Sequence, residues 1–186
     1  LKHRRKSVYH WSGHLKFLEE EKVFLPIPNW NGLRKTQTFE VKIKKTNGVK
    51  DENPLNNILI SAVPLPKIFP EEFILKIKTN NKDRARENSF TISGNNGTVY
   101  YSGGFFKDST EYNFPIELKR GFYEFLFKDD MEDGISIHWW NRNSAPEKIG
   151  ISGELKFLKR DGEILYEFKP DFGQELRFGF IVGPIP

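Results

Sequence analysis

The sequence contains no cysteine. That excludes a disulfide framework and any thiolate metal site. It leaves the compartment open, because a β-domain of this size can bury enough core without staples. No stretch approaches the roughly 20 apolar residues of a membrane-spanning helix, and no signal-peptide pattern is visible. Leu1 stands where an initiator Met would, so we expect a piece excised from a longer protein. Catalytic motifs are missing too. There is no Gly-x-Ser-x-Gly nucleophile elbow, no phosphate-loop pattern, and no carboxylate spacing that marks a glycosidase. Helical sequence is scarce. Only Leu15-Lys-Phe-Leu-Glu-Glu-Glu-Lys-Val-Phe24 has suitable composition, and its Glu-Glu-Glu-Lys fits a turn between strands at 8–15 and 23–27.

Aromatic residues, by contrast, are plentiful. They make up 15% of the chain, with 17 Phe among 186 residues. Such side chains suit half-buried pleated surfaces, so composition leans towards β. The hydrophobic share, 37%, is enough to fill a core and argues against disorder. Charge is uneven: residues 1–66 hold 12 Lys/Arg against 6 Asp/Glu, and residues 67–186 hold 17 against 19. A basic half can mark a nucleic-acid surface. Lys42 and Lys44 alternate with Val41 and Ile43, however, as the solvent face of a strand should. We read the excess as a solvated face and a basic linker, with no nucleic-acid partner.

Period-two alternation recurs along the chain. It runs through Thr38-Phe-Glu-Val-Lys-Ile-Lys44 and a last strand at 58–63, with turn signals at Asn47-Gly48 and a loop over 51–57. Pro64-Leu-Pro-Lys-Ile-Phe-Pro70 then carries three prolines in seven residues, and the domain boundary is placed there. Beyond it, Phe73/Leu75/Ile77, Phe90/Ile92, Val99/Tyr101, Tyr112/Phe114/Ile116/Leu118, Tyr123/Phe125/Phe127, Ile135/Ile137/Trp139, Leu155/Phe157, Ile164/Tyr166/Phe168 and Leu176/Phe178/Phe180 each alternate. Asn95-Asn96-Gly97 and Arg160-Asp161-Gly162 read as hairpin turns. Gly103-Gly104 reads as a bulge that re-aims Tyr100, Tyr101, Phe105 and Phe106. Short strands with turns every 8–12 residues predict a β-sandwich or jelly roll.

Several of these segments resemble a β-module repeated in secreted proteins of Bacteroidetes. The matching pieces are Phe73-Ile-Leu-Lys-Ile-Lys-Thr-Asn-Asn81, Glu87-Asn-Ser-Phe-Thr-Ile92, Asn96-Gly-Thr-Val-Tyr-Tyr-Ser-Gly-Gly104, Leu118-Lys-Arg-Gly-Phe-Tyr-Glu-Phe-Leu-Phe-Lys-Asp-Asp130, Asp133-Gly-Ile135 and Asp171-Phe-Gly173. The N-terminal half resembles the CARDB-like, immunoglobulin-type adhesion domain through Trp11-Ser-Gly-His-Leu15, Phe39-Glu-Val-Lys-Ile43 and Asn47-Gly-Val-Lys-Asp-Glu-Asn-Pro-Leu-Asn-Asn57. This order of modules is similar to the C-terminal part of secreted hydrolases, including peptide-N-glycosidase-F-like proteins and peptidases. The resemblance implies an accessory region and not the catalytic domain. The chain departs from the module's pattern in its acidic loop, which reads Asp129-Asp-Met-Glu-Asp-Gly134 and lacks Cys.

Two sets of residues are candidate sites. Asp129, Asp130 and Asp133 lie on one loop closed by Gly134, a composition suited to a structural Ca²⁺ or, alternatively, to a solvated acidic turn. Trp139 and Trp140 are adjacent and point to opposite faces of a strand, with Asn141 and Arg142 following. One Trp is expected in the core, and the other packs or meets a glycan or protein ligand. His138 reads as structural. The expectation is an all-β chain: an Ig-like (CARDB-like) domain over 1–66 and a jelly-roll-like β-sandwich over 67–186. Its expected role is that of a non-catalytic accessory module of a larger secreted or cell-surface protein, binding carbohydrate or protein. A jelly-roll hydrolase of glycosidase or amidase type, using scattered carboxylates, is the alternative.

Overall fold

The computed structural model describes residues 9–21, 23, 37–45, 48–49, 53–137, 143 and 145–183. The chain divides into two compact units, Leu1–Leu65 and Pro66–Pro186. The described residues are all-β except for single turns of helix at Pro54–Asn56, Ala85–Glu87 and Pro146–Ile149. No helix among them is long and apolar enough to cross a membrane.

In the N-terminal unit, β1 (Gln37–Lys42) pairs antiparallel with β2 (Ile58–Val63), from Gln37 opposite Val63 to Lys42 opposite Ile58. The strand expected at 8–15 is not formed in its described part: residues 9–15 belong to no strand. The expected turn comes earlier than read. Glu19 N–H donates to the Lys16 carbonyl (3.0 Å), and Lys16 N–H donates to Glu19 Oε2 (2.7 Å). The strand read at 23–27 lies outside the described residues except for Val23.

The C-terminal unit is a β-sandwich. Its strands are β3 (Lys67–Phe69), β4 (Glu72–Lys78), β5 (Asn88–Gly94), β6 (Val99–Gly104), β7 (Glu111–Glu117), β8 (Gly121–Asp129), β9 (Glu154–Leu158), β10 (Ile164–Phe168) and β11 (Glu175–Val182). One sheet has the order β10-β9-β4-β7, the other β3-β11-β8-β5-β6. β3 was hidden in the proline-rich segment. It pairs parallel with the end of β11 and buries Phe69 at 2% exposure.

Alternation explains the core. Phe73, Leu75 and Ile77 of β4 and Leu155 and Phe157 of β9 face Phe90 and Ile92 of β5 and Tyr123, Phe125 and Phe127 of β8, all buried. Phe157 sits at the centre. Its ring is 5.0 Å from Phe125, 5.2 Å from Phe69 and 5.5 Å from Phe73, each edge-to-face. Burying one such ring contributes on the order of 2–3 kcal/mol, and edge-to-face pairs add up to about 1 kcal/mol each. Gly103 has a different task from the one read in the sequence. A Cβ there would lie 2.5 Å from the Phe90 ring, so the glycine seats that ring. The bulge falls three residues earlier, at Tyr100, where Ile92 faces Tyr101 but Ser93 faces Val99.

The two ends of the sandwich differ. One end holds the expected hairpins, Asn95-Asn96-Gly97 and Arg160-Asp161-Gly162, with Gly97 at φ 80° and Gly162 at φ 91°. The other gathers the longer connections 79–87, 105–110, 130–153 and 169–174. Residues 135–137, expected to be a strand, belong to the third of these. Ile135 N–H donates to the Pro170 carbonyl (2.9 Å), and the Ile135 carbonyl accepts from Gly153 N–H (2.7 Å). Its backbone is therefore taken up by neighbouring loops, and no ladder is left for it to join.

Candidate functional site

The long-loop end is cross-braced. Asp108 accepts Ala85 N–H at Oδ1 (3.1 Å) and Asp83 N–H at Oδ2 (2.6 Å), tying 105–110 to 79–87. Thr79 Oγ1 donates to the Lys107 carbonyl (2.7 Å) and accepts from Thr110 N–H (2.9 Å). Arg84 is the central clamp. Its guanidinium donates to Asp133 Oδ1 (2.5 Å), the Ser136 carbonyl (2.9 Å) and the Gly134 carbonyl (3.3 Å). The Asp133-Gly134-Ile135 motif thus has one structural duty per residue. Asp133 pairs with Arg84, Ile135 bridges two loops, and Gly134 allows a close pass. At Gly134 φ is 68°, and a Cβ would lie 2.6 Å from the Pro170 carbonyl oxygen and 3.0 Å from Phe172 N.

Asp129 is the last residue of β8, and its side chain points into the sandwich at 1% exposure. Oδ1 accepts Met131 N–H (2.8 Å), while Oδ2 has no partner. Burial pushes its carboxyl up to about 6. The Met131 bond opposes that rise, and the charges of Asp133 and Glu87 add to it. Burial also raises Glu87, with Asp133 pushing the same way. Opposite Asp129 across the sheet is Asn88, whose Nδ2 donates to the Arg84 carbonyl (3.0 Å) and whose Oδ1 has no partner. Both polar atoms of Asn80 and the Nε of Arg84 are also buried without partners. Every such atom among the described residues lies at this end or on the strand termini that lead into it.

Backbone strain follows the same distribution. Non-glycine residues at positive φ are Lys82 (73°), Asp83 (63°), Phe105 (54°), Ser109 (52°) and Glu132 (65°), all in these loops, and Leu18 in the other unit. Each costs roughly 1–2 kcal/mol and persists only where its surroundings over-determine it. The side chains these loops turn outward include Phe105 at 93% exposure, Met131 at 65% and Ile151 at 40%.

The residues singled out from sequence fare differently. Asp129 is buried, Asp133 is held by Arg84, and Asp130 is exposed, its N–H donating to the Glu87 carbonyl (3.2 Å). No three Asp, Glu or His side chains among the described residues form a metal-binding group. His138, Trp139, Trp140, Asn141 and Arg142 lie outside the described residues. Tyr101 and Phe106 are internal, and the Tyr101 hydroxyl donates to the Glu117 carbonyl (3.0 Å). Arg84, Asp108, Asn80 and Asn88 were not identified from sequence. Arg84 and Asp133 are 49 residues apart, so no local pattern announces their pairing. In chemical terms the carboxylates of Asp108, Asp129 and Asp133 act as acceptors that fix loops. What they build is a rigid, irregular surface. No protein family, curated protein or solved structure matches this chain.

Proposed function

We propose that this chain is a non-catalytic accessory region of a larger secreted or cell-surface protein. In this reading an immunoglobulin-like, CARDB-like N-terminal domain precedes a binding sandwich. The sandwich takes its ligand, carbohydrate or protein, on the long-loop end. One observation carries the reading: five non-glycine residues at positive φ are gathered at that end of the sandwich, and none at the other among the described residues. Strain kept at one end of a domain, where glycine would remove it, is expected where side-chain placement matters more than stability. The hydrolase alternative has less support. Asp129, the carboxyl with the most displaced proton affinity, is 1% exposed and so cannot meet a substrate.

The test is a glycan and peptide array probed with the whole chain, followed by titration of any hit against Asp83→Gly and Ser109→Gly. Both variants relieve strain, so both should raise the melting temperature while weakening the ligand about tenfold or more. A hit whose affinity is unchanged in both variants removes the loop end from consideration. Turnover of a glycoside or amide by the chain would favour the hydrolase reading.

A further inference from the structure

The C-terminal sandwich has four edges, and three of them are blocked against further strand pairing. β3 is three residues long and lies between Pro66 and Pro70. β7 contains Pro115 and carries Glu111 and Glu117. β10 carries Glu167, with Glu163 and Lys169 beside it. Prolines, charges and short length are the usual protections of an edge. β6 differs from these three: from Val99 to Phe106 the sequence is Val-Tyr-Tyr-Ser-Gly-Gly-Phe-Phe, with no charge and no proline. Its one irregularity, the bulge at Tyr100, leaves Tyr101 to Gly104 in unbroken register with β5.

The phase of the ladder shows which groups this edge offers. Asp130 N–H donates to the Glu87 carbonyl (3.2 Å), which brackets Asn88 and Asp129 as a non-hydrogen-bonded pair. By alternation, Ser89 and Thr91 bond to β8, and Phe90 and Ile92 bond to β6 through Gly103 and Tyr101. Ser102 and Gly104 therefore turn their N–H and C=O groups to the open side. No other backbone bond among the described residues uses them. Their short side chains leave the backbone accessible.

We propose that β6 pairs antiparallel with β6 of a second copy of this chain, Ser102 opposite the second copy's Gly104, about a twofold axis at Gly103. This register uses all the outward groups of the unbroken stretch, giving about four N–H···O bonds. It sets Gly103 against its counterpart, where strands approach closest. Pairing Ser102 with itself would instead bring Gly104 opposite the bulged Tyr100. The occupant is argued from charge. Under twofold symmetry a charged edge meets its own sign, and from Val99 to Phe106 there is none to repel. The same stretch has no charge with which to select an unlike strand. Because the other three edges of the sandwich are blocked, pairing through the sandwich alone closes at two copies. Phe105, 93% exposed, lies just beyond the paired stretch.

The chain has no cysteine, which makes the register directly measurable. Ser102→Cys and Gly104→Cys chains are mixed under mild oxidation. Residues opposite each other in a hydrogen-bonded pair lie about 5.5 Å apart at Cα, within disulfide reach. The expected result is a mixed covalent dimer that forms faster than either self-crosslinked dimer. In parallel, sedimentation should show a concentration-dependent dimer for the unmodified chain and a monomer for Ser102→Lys. Circular dichroism should be unchanged in that variant, and so should the melting temperature at concentrations too low for the unmodified chain to dimerise. A chain that stays monomeric at millimolar concentration overturns the proposal. So does Ser102→Lys that still dimerises, or crosslinking that favours Ser102→Cys with itself. A peptide strand that binds β6 without any dimer would likewise overturn it.

Discussion

The two ends of the C-terminal sandwich solve the same backbone problem differently. At the hairpin end, left-handed conformations fall only on glycines, Gly97, Gly162 and Gly183, and at the first two an added Cβ would meet nothing within 4 Å. At the long-loop end, Gly134, Gly150 and Gly173 share the task with Lys82, Asp83, Phe105, Ser109 and Glu132. The first end is optimised for closing strands. The second tolerates strain and buried unpaired polar atoms, held by Arg84 and Asp108. Strain and buried unpartnered atoms are thus confined to one end of a shared core.

Substitutions separate the two ends by their cost. The largest effect is expected at Gly134, since alanine there would be strained and would collide with the backbone of 170–172. Gly134→Ala should cost about 3 kcal/mol or more, measured by urea unfolding. The matched change at the hairpin end, Gly97→Ala, should cost only about 1 kcal/mol, because only the conformational penalty applies. Equal costs would show that the two ends do not differ as described.

Removing the clamp comes next. Arg84→Ala removes the guanidinium that bonds Asp133 and the carbonyls of Gly134 and Ser136, at a cost of about 2–3 kcal/mol. Hydrogen exchange should rise in 133–136 while the hairpin end keeps its protection.

Asp129 gives the comparison a pH axis. Its carboxyl holds a proton up to about 6 when folded, against about 3.9 when unfolded. The folded state therefore binds the proton more tightly. Its contribution is full below about pH 4 and is lost as pH rises through 6, a change on the order of 3 kcal/mol. Asp129→Asn should flatten the melting temperature between pH 4 and 7 relative to the unmodified chain. The smallest effect is a gain: Lys82→Gly relieves one left-handed residue and should stabilise by roughly 0.5–1 kcal/mol in thermal unfolding.

The strands of the sandwich were legible because one face of each is buried. Phe73, Leu75 and Ile77, or Tyr123, Phe125 and Phe127, alternate in sequence as they alternate in burial. The hairpin turns were legible because their glycines serve local geometry. Three readings failed for a shared reason: long-range partners decided them. β3 sits between prolines that read as a linker, yet it exists because the last residues of β11 offer it an edge. Ile135 and Ile137 alternate like a strand, but loops take up the Ile135 backbone. Asp129 reads as the start of an acidic loop, but register places it inside, opposite Asn88. The clamp was illegible altogether, since nothing near Arg84 in sequence foretells a partner 49 residues away.

The pairing of β3 with β11 has a mechanical consequence. It is the one parallel pair among the described strands, and it joins the first strand of the sandwich to the last, Lys67 opposite Phe180 and Phe69 opposite Val182. A pull transmitted along the polypeptide, inward at 67 and outward at 182, runs along both strands in opposite senses. The load falls on all their hydrogen bonds together as shear and does not peel them apart one by one. Tension would therefore meet its resistance at the point where the chain enters and leaves the fold.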